Sequence, residues 1–475
     1  MQRYLILILI FLLIRPLFSQ AQIDTGIWIP VAPAHYNFVH YADNSIGQAG
    51  KLDSVFKKLV ALHTTHKGKV SIVHIGDSHI QGDGITNVLR NGFRKYFGDA
   101  GRGLIFPYQL ANSNAPHDVS SFSNTTWKSN RLVNSNSPIA TGICGYSIQS
   151  EKENATVHIQ LKNIDGRQES FDRMVFFLGK EKSTYDLTDS SLTTLPSKET
   201  QERIDAPSLI FETDSPITNF KLTRTVSSPG SNYTFYGVSL EHKEADGVIY
   251  HTIGVNGARY DQYVQDDLFW EQLAALNGDL FIISMGTNEA QSRQINEQTL
   301  LAVCDSFVKK IHHIAPGASI LITTPAGSYY KMRKPNASVQ TVSNTLVHFC
   351  EEKGFAFWDL NKISGGKTSA LGWRKNNLMS HDFVHYNSAG YQLQGDLLLS
   401  ALAKAFNTYA KQHVYKAPKP GTENTIPKKP GVKKTTPVQI GIKEDKIVPS
   451  KENIPSKIDS IPPPHTKKLK VEYSE

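Results

Sequence analysis

The sequence predicts an α/β protein, a doubly wound parallel sheet interrupted by an all-β sandwich. Three observations predict it. A β-branched apolar run, Val70 to Ile75, reads as a strand buried on both faces and stops abruptly at Gly76-Asp77-Ser78-His79. From Val248 onward, strand-like runs alternate with segments of helical period, the pattern of crossover units in a parallel sheet. Between these parts, short runs of strand character are separated by Asp, Asn, Gly, Ser and Pro, with no helical period, as in a sandwich.

The elements follow in order. Met1 to Ala21 carries Arg3, an apolar run from Tyr4 to Ile14 and a small-x-small site at Ser19-Gln20-Ala21. This reads as a secretory signal peptide cleaved near Gln22, although Arg15 is untypical there. The apolar run is shorter than the ~20 residues a bilayer needs, and no later segment qualifies as a transmembrane helix. A secreted, periplasmic or envelope-associated protein is expected. After the strand at Val70, the segment Ile80 to Phe97 has helical spacing in Ile85, Val88, Leu89, Phe93, Tyr96 and Phe97. The sandwich strands are expected at 155–161, 173–179, 208–213, 217–226 and 232–242.

The α/β pattern resumes with a strand from Val248 to Val255, closing on Gly254-Val255-Asn256-Gly257. Asp279 to Met285 is a strand closing on Gly286-Thr287-Asn288-Glu289. An amphipathic helix from Asn296 to Ile314, a strand from Ser319 to Thr323, a helix from Ser338 to Lys353 and a strand from Phe355 to Leu360 follow. The last helix, Ala389 to Ala410, is capped by Asn387 or Ser388. The expected organisation is a signal peptide (1–21), a discontinuous α/β unit (22–104 and 246–410), an inserted sandwich (105–245) and a tail (411–475). The strand order is not legible.

Charge is segregated. The tail from Lys411 holds ten of the 23 prolines and 14 lysines against 7 acidic residues, a net of +7, while the whole chain is +8. It lacks apolar periodicity and is expected to be disordered. The pI near 9.0 therefore describes the tail, not the folded body, which argues against a nucleic-acid-binding domain. The basic tail suits loose contact with anionic envelope components, or serves as a spacer. Cys144, Cys304 and Cys350 form no disulfide framework; an oxidising compartment would allow one disulfide, whose pair the sequence does not choose, and Cys304 and Cys350 lie on apolar helix faces as small buried hydrophobes. No cysteine–histidine spacing suggests a zinc site, and no cofactor is expected.

Four short pieces fall at one edge of the predicted sheet: Gly76-Asp77-Ser78, Asn256-Gly257, Gly286-Thr287-Asn288, and Asp382-Phe383-Val384-His385. Ligands of open α/β sheets bind at the carboxyl ends of the strands. Taken singly, each piece has a structural reading, as a turn or a helix cap. Together, in order and spacing, they resemble the four blocks of the SGNH (GDSL-like) hydrolase family.

The resemblance implies a flavodoxin-like α/β/α hydrolase domain working through an acyl-enzyme. Ser78 is then the nucleophile, His385 the general base and Asp382 the group orienting it. The backbone N–H of Ser78, the backbone N–H of Gly257 and the side-chain amide of Asn288 form the oxyanion hole. His381, His74 and His79 are alternative bases, with His74 read as a satisfied core residue, and Asp77 is structural. Two residues depart from the common pattern: His79 stands where leucine is usual, and Glu289 where aspartate is usual.

The Gly-Asp-Ser-His form and the β-rich insertion look like the peptidoglycan O-acetylesterase branch. In that branch the inserted, jelly-roll-like domain is similar to a carbohydrate-binding module. The implied function is removal of acetyl groups from acetylated polysaccharide, peptidoglycan first. Alternatives are an acetylxylan-type or broad carboxylesterase or lipase, an acetyltransferase, and an inactive glycan-binding envelope protein.

Overall fold

The computed structural model describes residues 28–164, 166–180, 183–188, 208–227, 230–292 and 294–413. The expected signal peptide lies outside these residues, as does residue 414 onward of the expected tail. Residues 411–413 continue the last helix.

Five parallel strands form the central sheet: β1 (Lys69–Gly76), β2 (Gly247–Gly254), β3 (Leu280–Ser284), β4 (Ser319–Thr323) and β5 (Ala356–Trp358). Their order is β2-β1-β3-β4-β5, that of flavodoxin-like sheets. Every residue of β1 after Lys69 is buried, which is why the strand reads as a continuous apolar run. Alternate side chains of β1 enter opposite layers. Val73 and Ile75 join one core with residues of helices α3 (Glu297–Ile314) and α4 (Ser338–Lys353). Val70 and Ile72 join the other, with α1 (Asp53–Thr65), α2 (Gly84–Phe97) and α5 (Ser388–His413). Asn387 caps α5, its Oδ1 accepting the Gly390 N–H at 3.0 Å.

Helices Tyr260–Gln265, Asp267–Leu273 and Ser369–Lys375 were not expected, and the layer carrying α1 and α2 departs from expectation in two further ways. Helix α1 was not predicted, although Val55, Phe56, Leu59 and Leu62 carry its apolar stripe. The helix expected over 80–97 is broken into a four-residue turn, Ser78–Gln81, and α2. The break is at Asp83, with φ of +61°, whose buried carboxylate draws the chain out of register. Arg90 donates to it at 3.0 and 2.5 Å and Arg102 at 2.8 Å. Arg102 also donates to Asp118 at 2.5 and 3.1 Å.

Asp118 precedes the first strand of a four-stranded antiparallel sheet built from 183–188, 219–227, 156–161 and 119–122. A six-stranded sheet faces it, with strands 208–217, 171–178, 233–241, 146–150 and 128–131, and with 103–105 paired to 233–241. Phe220 of the first sheet meets Phe171 and Phe176 of the second edge-on, at 6.1 and 5.2 Å between ring centres. Strand Lys128–Arg131 escaped sequence reading because it is an edge strand without an apolar side chain. Cys144, Cys304 and Cys350 are all buried free thiols.

Candidate active site

The crevice at the carboxyl ends of β1 and β3 is where strand order reverses, and the four sequence pieces gather beside it. β1 ends at Gly76, and the chain turns at once into the Ser78–Gln81 helical turn. A methyl group on Gly76 would lie 2.7 Å from the Ser284 carbonyl oxygen and collide with the Ile80 side chain. Gly76→Ala is therefore expected to push the Ser78 turn off β3 and to cost about 1–3 kcal/mol in a denaturation experiment. An unchanged midpoint would show that the turn is not so tightly held. Asp77 caps the turn, its Oδ1 accepting the His79 N–H at 2.9 Å, which agrees with its structural reading. Burial is the largest influence on Asp77 and lifts its carboxyl to about 7.

His385 and Asp382 sit on the loop before α5. The backbone folds back on itself there: the Ser380 N–H donates to the His385 carbonyl at 2.9 Å, and Phe383 takes φ of +55°. Asp382 Oδ1 accepts the N–H groups of Val384 and His385, both at 2.9 Å. Its Oδ2 lies 2.6 Å from His385 Nδ1, and His385 Nε2 lies 2.8 Å from Ser78 Oγ. A carboxylate only accepts, so Nδ1 carries the proton and Nε2 is left to accept the Ser78 hydroxyl. Partial burial opposes charge on Asp382, but hydrogen bonds from the His385 ring and the two amides outweigh it and hold the carboxyl below the ordinary range.

The oxyanion candidates lie on two neighbouring loops. Gly257, with φ of +85°, occupies the turn after β2, a conformation that favours glycine. Asn288 follows β3, and its amide donates to the Ala258 carbonyl at 2.9 Å, with a longer contact of 3.4 Å to Asp77 Oδ2. Glu289, the unusual neighbour, accepts the Tyr260 N–H at 2.9 Å, so this loop grips the Gly257 turn at two points.

Sequence reading missed the hub of the site, Gln81. This buried amide accepts from the Asn256 N–H at 2.8 Å and the Tyr146 hydroxyl at 3.0 Å, and donates to Ser113 Oγ at 2.8 Å. It thereby fixes the turn carrying Ser78 against the turn carrying Gly257. Its only sequence signal is its place three residues after Ser78.

The alternative bases fall away from the Ser78 hydroxyl. His74 is buried in β1 between the Tyr250 hydroxyl at 2.8 Å and Ser284 Oγ at 2.7 Å, and burial pushes it down to about 3. His79 turns to the Tyr391 hydroxyl at 3.1 Å and is likewise pushed down to about 3, first by burial and then by His385. His381 is exposed on the loop before Asp382.

Residues 217–393 match the GDSL-like Lipase/Acylhydrolase family. The chain contains a GDSL-like hydrolase domain. The matched segment includes Gly257, Asn288, Asp382 and His385 but stops short of Ser78, which the β-rich segment separates from it in sequence and the pairing of β1 with β3 returns to it in space. No curated protein matches the chain. Among solved structures, a peptidoglycan O-acetylesterase is similar, with 21% identity, 77% of this chain and 99% of that chain covered, and a TM-score of 0.63. A catalytic mutant of an acetylxylan esterase from Geobacillus stearothermophilus is 17% identical over 33% of this chain and 73% of that one, with a TM-score of 0.27. The GDSL-like domain has the SGNH hydrolase fold, a three-layer α/β/α sheet with additional antiparallel sheets.

Proposed function

We propose that the protein is an exported serine esterase that removes O-acetyl groups from polysaccharide, peptidoglycan being the favoured substrate. The observation that carries this reading is the order Ser78–His385–Asp382, with the imidazole 2.8 Å from the hydroxyl and 2.6 Å from the carboxylate. In this mechanism His385 Nε2 takes the proton of Ser78 Oγ as the oxygen attacks the ester carbonyl. It returns that proton to the leaving sugar oxygen, and the acetyl-enzyme is then hydrolysed by water activated by the same imidazole. The Ser78 and Gly257 N–H groups and the Asn288 amide stabilise the tetrahedral oxyanion, each worth ~3 kcal/mol at the transition state.

A short acyl group fits the surroundings. The large apolar side chains exposed among the described residues are Ile29, Val31, Phe122, Ile164, Met332 and Leu371, and none is on the turns carrying the candidate residues. A long acyl chain would need an apolar lid or groove there. The intact hydrogen-bonded order also favours a working enzyme over an inactive glycan-binding protein. Likeness in fold to the peptidoglycan O-acetylesterase favours a cell-wall glycan over xylan.

The purified protein is expected to hydrolyse a small aryl acetate much faster than the matching octanoate, and to release acetate from O-acetylated peptidoglycan. Cleavage confined to long acyl chains would refute the polysaccharide reading, and failure on every ester would refute the esterase.

A further inference from the structure

Beside the Gly257 turn lies a polar cleft of about 280 Å³, lined by Asn112, Ser113, Asn130, Arg131, Asn134 and Tyr146. These residues come from the segment between α2 and β2, outside the parallel sheet. The cleft is tied to the candidate site at two points. Gln81, on the Ser78 turn, hydrogen-bonds Ser113 and Tyr146 from below. Val133, between Arg131 and Asn134, is the nearest side chain over Gly257, where an added Cβ would lie 3.7 Å from it.

One charged group in this cleft lacks a partner. The Asn130 amide beside it is committed to the Ile139 carbonyl at 2.5 Å, and its Oδ1 is buried away from the cleft surface. The Arg131 guanidinium makes no hydrogen bond or ion pair with any described residue. The buried arginines elsewhere are committed, Arg102 to Asp83 and Asp118, and Arg94 to Glu169 and Asp99. A larger cleft of about 440 Å³, at the amino ends of the strands, offers a contrast. Its Arg173 is already paired with Glu212 and Glu241, and its Lys69 is bonded to the His242 carbonyl.

No acidic residue lines the smaller cleft, so its net charge is positive. A free planar guanidinium is suited to a carboxylate, which it can bind through two parallel hydrogen bonds. Asparagine and serine side chains both donate and accept, as sugar hydroxyl and acetamido groups do. We propose that this cleft is the glycan subsite of the esterase, and that Arg131 selects acetylated saccharides bearing a carboxylate over neutral ones. This rests on the esterase reading and narrows its substrate class. The carboxylate belongs either to the sugar itself or to a peptide attached to it.

The test compares the full chain with Arg131→Gln and Arg131→Lys on four substrates: a small aryl acetate, acetylated xylan, O-acetylated peptidoglycan, and the same strands stripped of peptides by an amidase. The readout is the ratio of kcat/KM on each glycan to kcat/KM on the aryl acetate, which cancels differences in the folded fraction. Arg131→Gln is expected to lower the ratio for peptidoglycan about tenfold or more, through KM, and to leave the xylan ratio within twofold. Arg131→Lys should recover part of the loss. Because hydrolysis of the sugar–peptide amide leaves a carboxylate on the sugar, dependence on Arg131 that disappears places the recognised carboxylate on the peptide, and dependence that survives shows that a sugar-borne carboxylate serves as well. A peptidoglycan ratio within twofold of the parent, or an equal fall on xylan, would overturn the proposal. Should the parent hydrolyse none of the four, the esterase reading fails separately. The cleft is then judged on binding of de-O-acetylated strands, which Arg131→Gln must weaken about tenfold if the subsite exists.

Discussion

Ser78→Ala is expected to lower kcat on an aryl acetate by roughly 10⁴- to 10⁶-fold while leaving the thermal midpoint almost unchanged. The size of the effect follows from the loss of the covalent step, because His385 cannot activate a methyl group. The stability should persist because, among the described residues, the hydroxyl's only side-chain partner is His385 Nε2, at a half-buried site. Asp382→Asn probes the other end of the chain of hydrogen bonds. Its Oδ1 can still accept the Val384 and His385 amides, so the loop holds its shape. The acceptor facing Nδ1 becomes an amide that can donate, which favours the wrong imidazole tautomer. A fall of about 10²- to 10⁴-fold is expected, smaller than for Ser78 because the Asp382 side chain is 48% exposed and water can replace part of its role. Since its carboxyl is held below the usual range, Asp382 stays ionised as the pH falls. Retention of more than a tenth of the parent activity by Ser78→Ala would remove Ser78 from the nucleophile's role.

The second large effect is structural. Asp83 is 4% exposed and lies between Arg90 and Arg102, each 1% exposed. Burial disfavours its charge, but the two guanidinium groups reverse this and hold the carboxyl below the ordinary range. Removing one partner from such a cluster leaves a buried charge uncompensated, which costs about 3–5 kcal/mol. Asp83→Ala would strand Arg90 with only the Asn87 side chain and leave Arg102 with Asp118 alone. Chemical denaturation should therefore show a loss of that size. Lys58→Ala is the control: Lys58 pairs with Asp279 but is 53% exposed, and an exposed pair is worth about 0–1 kcal/mol. Equal losses for the two substitutions would mean that the Asp83 cluster is not the clamp it resembles. Because Asp83 follows the Ser78 turn and Asp118 opens the antiparallel sheet, the same variant should also impair hydrolysis.

Legibility followed the kind of signal each residue carries. β1 was readable because both faces of a central parallel strand are apolar, so Val70 to Ile75 needs no partner to be recognised. Strand Lys128–Arg131 was not readable because none of its four side chains is apolar. The break between the Ser78 turn and α2 was hidden because the apolar spacing from Ile85 to Phe97 is intact on its far side. Nothing local reveals that Asp83 will be drawn out by Arg102, a residue 19 positions away. The same holds for Gln81, whose partners Asn256, Tyr146 and Ser113 come from three separate segments.

Local chemistry thus determined the strand ends, the turns they close on and the residue types able to do acyl transfer, because periodicity and turn preference act over a few neighbours. Tertiary structure alone decided the order of the parallel strands, the return of Ser78 to within 2.8 Å of a histidine 307 residues later, and the hydrogen bonds that fix the Gly257 turn. Those features depend on directional contacts between segments distant in the chain, and such contacts exist only once the sheet has assembled.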